Sequence, residues 1–136
     1  MKQRAICFAG KPCGHVAPAG AYIYGNVSLG DLQEAFRSST GVWNADDYER
    51  QWAAAAKLCW RYRQPVLLYT DVTARASTAY HVVPSARELL IFEMIFRGPF
   101  RPISRPTAAR AALRERHHLS CWTAPIVSLR ALAAMA

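Results

Sequence analysis

The side chains suited to metal or nucleophilic chemistry are few and scattered: Cys7, Cys13-Gly14-His15 and His117-His118-Leu119-Ser120-Cys121. A structural zinc site takes its ligands in close pairs, C-x₂₋₄-C and the like, because one turn must bring two donors to one ion. Cys7 and Cys13 stand six apart and the C-terminal group has no matching pair. No metal and no cofactor are therefore expected. The same residues offer no Cys/His pair at a diagnostic spacing for nucleophilic catalysis, and no glycine-rich phosphate loop occurs. Among the carboxylates, Asp46, Asp47 and Glu49 cluster where a helix begins and complement its dipole. Asp71 reads as a turn residue closing a strand. No catalytic residue is assigned, and the chain is expected to act by binding; a small hydrolase or transferase is the weakest of the readings.

Arginines and aromatics are the more informative set. The net charge is +8, and of 17 cations only Lys2, Lys11 and Lys57 are lysines. Arginine forks hold carboxylates and phosphates bidentately, so a partner with an acidic surface is implied. Arg97, Arg101, Arg105, Arg110, Arg114 and Arg116 stand close together, opposed only by Glu115. Trp60, flanked by Arg61 and Arg63, falls off the apolar stripe of its helix and is free to face a partner. The partner-binding candidates are Trp60, Arg61, Arg63, Arg97, Arg101 and Arg105. An acidic protein surface would suit them. The alternative is a small basic nucleic-acid-binding protein, with aromatics stacking on bases beside phosphate-binding arginines.

The elements that must position these groups follow from periodicity. Arg4–Phe8 and Ala21–Gly25 read as short strands, with a loop between them at Pro12 and Pro18. Leu29, Leu32 and Phe36 lie at helical spacings, so a short helix capped by Ser28 is predicted through Phe36. The best local signal is a second helix. Asn44 suits its N-cap, Asp46 and Asp47 its first turn, and Trp43 and Tyr48 a hydrophobic staple. Tyr48, Trp52, Ala55, Cys59 and Tyr62 form one core-facing stripe, and Pro65 ends the helix near Arg63. Pro65–Val72, Ala79–Val83 and Glu88–Phe96 read as antiparallel strands, with a turn at Ser85–Arg87. Arg97–Arg116 reads as a mostly basic surface loop, Leu119–Ala124 as a last strand, and Ile126–Ala136 as a terminal helix. The four cysteines are expected as free thiols. The apolar runs are too short for a membrane span or a signal peptide, which places the chain in the cytoplasm. The expected fold is α+β, one domain over residues 1–136: a single antiparallel sheet of about four or five strands with two or three packed helices.

Order and spacing also match a known pattern. Trp43-Asn44-Ala45-Asp46-Asp47-Tyr48-Glu49-Arg50-Gln51-Trp52 resembles the W-x-x-x-D-Y-E-x-Q-W signature of the immunity proteins of bacterial contact-dependent growth inhibition systems. A strand ending in Thr follows, as Val66-Leu67-Leu68-Tyr69-Thr70 does. Then come a G-P-F-x-P turn at Gly98-Pro99-Phe100-Arg101-Pro102 and an L-S-x-W-x-x-P ending from Leu119 to Pro125. The motif residues are Trp43, Asp47, Tyr48, Trp52, Gly98, Pro99, Phe100, Trp122 and Pro125. The resemblance implies a small α+β cytoplasmic protein, without enzymatic activity or cofactor. It would bind, one to one, the C-terminal toxin domain (expected to be a nuclease) of a surface-delivered effector. Members of that family are mostly acidic; this chain is basic.

Overall fold

In a computed structural model, residues 4–9, 21–98 and 121–136 are described. Among them, seven strands form two antiparallel sheets. Sheet A has the order β1 (Ile6–Phe8), β2 (Tyr22–Leu29), β3 (Leu32–Ser39). Sheet B has the order β4 (Val66–Val72), β5 (Ala76–Ser85), β6 (Glu88–Arg97), β7 (Cys121–Pro125). One long helix, α1 (Ala45–Tyr62), joins them. A 3-10 turn (Ile126–Leu129) and a short helix, α2 (Arg130–Ala133), close the chain and pack on α1. The class is α+β as expected, but the strands divide into two sheets where one of four or five strands was expected.

The extra hairpin explains the difference. The predicted helix from Ser28 to Phe36 is instead the β2–β3 turn and its flanks. Leu29 and Leu32 pair directly across a two-residue turn at Gly30-Asp31, which brings both to the inner face and imitates a helical spacing of three. Gly30 takes φ +55°, and a Cβ there would collide with the Thr123 carbonyl and the Ala124 backbone. Only glycine fits such a conformation and approach without strain. The inner face of the hairpin carries Ile23, Val27, Leu29 and Leu32, all buried.

Helix α1 forms where predicted, for the predicted reason. Asn44 accepts from the Asp47 N–H at 2.9 Å, and Asp47 accepts from the Asn44 N–H at 3.0 Å, a reciprocal capping box. Trp43 meets Tyr48 edge-on with ring centroids 5.2 Å apart. Arg63, in the left-handed region at φ 56°, ends the helix by donating to the Cys59 carbonyl. Tyr48, Trp52, Ala55 and Cys59 are buried as the stripe required, but Tyr62 is 61% exposed. Arg61, Tyr62 and Arg63 are all exposed, so the stripe outlasts the core it packs on.

The two sheets are tied at both ends of β3. At one end Ser38 donates to the Thr70 carbonyl and the Ser39 N–H donates to Asp71 Oδ1 at 2.8 Å. Asp71 is thus a tie between sheets, not the turn residue expected. At the other end the Asp31 N–H donates to the Thr123 carbonyl, and Thr123 Oγ1 donates to Asp31 Oδ2, each at 3.0 Å. β3 therefore crosses the face of sheet B from its β4 edge to its β7 edge.

Side chains of α1 finish the outer edge of β4. Gln51 donates to the Leu67 carbonyl at 2.6 Å and accepts from the Tyr69 N–H at 3.1 Å. Trp52 Nε1 donates to the Tyr69 carbonyl at 2.6 Å. The Tyr48 hydroxyl accepts from the Val72 N–H at 2.8 Å and donates to the Ser39 carbonyl at 2.7 Å. A bare edge strand is a template for unwanted pairing; here a helix supplies the missing donors and acceptors. Tyr48, Gln51 and Trp52 thereby serve the fold. Burial of the Tyr48 hydroxyl pushes its pKa well above the usual phenol range, so it stays protonated while it bridges the two strands.

Candidate functional site

The structure separates the residues expected to bind a partner. Trp60 is half-buried, and the Arg63 guanidinium lies over its ring, 5.5 Å from the centroid. Arg61 stands beside them, exposed. This cluster sits at the last turn of α1, next to the Val66 end of β4. Arg97 is exposed at the far end of β6, paired with Ala76 near the Val72 end of β4. A seven-residue strand separates the two ends, a span of about 20 Å. They are two surfaces, not one. Arg101 and Arg105 lie outside the described residues, as do Pro99 and Phe100 of the motif. Arg75 is exposed at the same end as Arg97, with its carbonyl accepting from the Gly98 N–H at 2.8 Å.

The remaining motif residues are structural in placement. Trp43 packs on Tyr48 and, at 5.8 Å, edge-on to Tyr69. Trp122 meets the Tyr80 ring edge-on at 6.0 Å. Pro125 pairs with Glu88 at the end of β7. Of the possible metal ligands, Cys7 is half-buried on β1 and Cys121 exposed on β7, in different sheets. Cys13, His15, His117 and His118 lie outside the described residues. Among the described residues, no group of three or more His, Cys, Asp or Glu is placed to hold a metal. Cys59 is buried, and desolvation pushes its thiol up to about 12, which makes it a core residue rather than a nucleophile.

A cleft that the sequence does not announce opens where β3 bridges sheet B. Its volume is about 340 Å³, and Glu34, Phe36, Thr70, Asp71, Tyr80 and Glu93 are among the residues lining it. The Tyr80 hydroxyl donates to Glu34 Oε1 at 2.7 Å. Desolvation raises the Glu93 carboxyl above its ordinary value, and the Glu34 charge adds to the shift. The same burial and the bond to Glu34 drive the Tyr80 phenol far upward. Three carboxylates thus gather in one cleft of a chain whose net charge is +8. Glu34 and Glu93 lie on strands of different sheets, so no local pattern joins them; only the crossing of β3 over β5 and β6 does.

No protein-family model matches the chain, and no curated protein matches it in sequence. In three dimensions it is similar to a chain of the CdiA-CT/CdiI toxin and immunity complex from Enterobacter cloacae, with a TM-score of 0.73. The alignment covers 98% of this chain and 97% of that one, at 11% identity. The two share one fold. At that identity the likeness carries the fold and not the individual binding residues. It agrees with the sequence resemblance to immunity proteins of contact-dependent growth inhibition that runs from Trp43 to Pro125. Among the described residues, no helix is long and apolar enough to cross a membrane.

Proposed function

We propose that this protein is an immunity protein: it binds the toxin domain of a contact-dependent growth inhibition effector in the cytoplasm and protects the cell that makes it. The observation that carries the reading is the end-to-end likeness of fold to a chain of a toxin and immunity complex. The ordered motif residues from Trp43 to Pro125 support it independently, since they rest on the sequence alone. The protein works by association, not by catalysis, through steric occlusion of the toxin's active site or substrate surface. The complex is one to one, and the toxin is a nuclease. The basic balance of the chain favours a toxin that presents acidic patches, because charge complementarity sets both encounter rate and choice of partner.

The test is co-expression with the cognate toxin domain, which the immunity reading expects at the end of a large gene directly upstream. Growth should be restored by this protein and not by an unrelated immunity protein. Growth arrest that persists while both proteins are soluble and well expressed would show the reading to be wrong. Tight binding of a labelled oligonucleotide, falling linearly with log salt as phosphate neutralisation requires, would favour the nucleic-acid reading instead.

A further inference from the structure

The outer face of sheet A carries exposed aromatic side chains beside an arginine. Along β2, Tyr22 and Tyr24 point outward and are 49% and 65% exposed. Their neighbours on that face are Asn26, Ala35 and Arg37, all exposed. Tyr24 pairs directly with Arg37 across the strands, and the Arg37 guanidinium lies over the Tyr22 ring, 4.0 Å from its centroid. Stacking holds the fork in place before any partner arrives, so less side-chain entropy remains to be lost on binding. Among the described residues, Arg37 is the one cation of this face, and with Ala35 it also borders the cleft that holds Glu34, Asp71 and Glu93.

Tyrosine and arginine are the side chains enriched at the centres of protein interfaces. An exposed pair of tyrosines beside a fixed guanidinium is a ready anchor. A nucleic acid is the poorer fit, because its affinity comes from neutralising many phosphates. A single guanidinium between two phenol rings fits one carboxylate flanked by apolar or aromatic surface.

We propose that the outer face of sheet A, through Tyr22, Tyr24 and Arg37, docks the toxin domain, with Arg37 holding a toxin carboxylate and the tyrosines covering the apolar surface beside it. The proposal rests on the immunity reading and adds to it the surface that makes the contact. Neither the Trp60 cluster nor Arg97 is needed for it.

The experiment measures the affinity of the purified protein for its purified, catalytically inactivated toxin domain. Wild type is compared with Tyr24→Ser, Arg37→Glu, Arg37→Lys and, as a control at an exposed position of α2, Arg130→Glu. Denaturation midpoints check that each variant is folded, as expected for exposed positions. Tyr24→Ser and Arg37→Glu are each expected to weaken binding by about tenfold or more. Arg37→Lys should weaken it less, and Arg130→Glu should leave it within about twofold. Folded Tyr24→Ser and Arg37→Glu variants that bind the toxin as wild type does would overturn the docking face while leaving the immunity reading intact. A wild-type protein that does not bind the toxin overturns both. Tight binding of a labelled oligonucleotide that is lost in Arg37→Glu, with toxin affinity unchanged, would assign the face to nucleic acid and overturn the proposal.

Discussion

Replacing Gln51 tests whether a helix side chain completes the edge of β4. Its amide makes two bonds to main-chain groups of Leu67 and Tyr69, residues that are each 2% exposed. In Gln51→Leu the volume is kept and both bonds are lost. A buried main-chain donor or acceptor left unsatisfied costs about 1–3 kcal/mol. Gln51 is itself half-buried, so water reaches part of the vacated site, and the expected total is about 2–4 kcal/mol. Gln51→Glu is the graded case. As a carboxylate it still accepts from the Tyr69 N–H but turns a negative oxygen toward the Leu67 carbonyl, for a loss of about 2 kcal/mol. Protonated, it regains an O–H donor and imitates the amide. The folded state therefore holds that proton more tightly than the unfolded chain, and the variant's stability falls as pH rises through its raised pKa. Urea titration followed by tryptophan fluorescence measures both variants, with the slope unchanged if only stability has moved. A Gln51→Leu loss under about 0.5 kcal/mol, or a Gln51→Glu deficit that does not shrink in acid, would refute the reasoning: water, not the helix, would then be satisfying the strand.

Two further outcomes follow from the tie between the sheets. Gly30→Ala forces an L side chain into φ +55° and against the Thr123 carbonyl; a loss of about 3 kcal/mol is expected, and an unchanged melting temperature would show that the β2–β3 turn is not locked to β7. Glu93→Gln should stabilise the protein at about pH 8 and give little at about pH 4. The Glu93 carboxyl is raised by desolvation and by Glu34, with Tyr80 and Asp71 lining the same cleft. Its proton is held more tightly in the folded state, so its contribution is full in acid and lost as pH rises. Thermal melts at the two pH values check the sign, and a variant less stable than wild type at the higher pH would contradict it.

The sequence by itself determined what depends on neighbours along the chain. The capping box at Asn44 and Asp47, the staple of Trp43 on Tyr48 and the core stripe through Cys59 rest on offsets of three and four residues. They survive because nothing distant competes with them. The strands of sheet B were legible for the same reason: runs of β-branched and aromatic residues punctuated by Pro65 and by the Ser85–Arg87 turn. Leu29, Leu32 and Phe36 read as a helix and form a hairpin instead, since a two-residue hairpin and a helix both bring Leu29 and Leu32 to one side. The collision space at Gly30 that decides between them exists only once β7 is in place. Tertiary structure alone decided that Gln51, Trp52 and Tyr48 finish an edge strand, that Asp71 ties two sheets and that Glu34 meets Glu93. It also decided that Trp60 and Arg97 part to opposite ends of β4. Each of these relations joins residues whose separation along the chain carries no periodic signal. The packing of α1 along β4 makes the first and sets Trp60 apart from Arg97, and the crossing of β3 over sheet B makes the Asp71 and Glu34–Glu93 meetings.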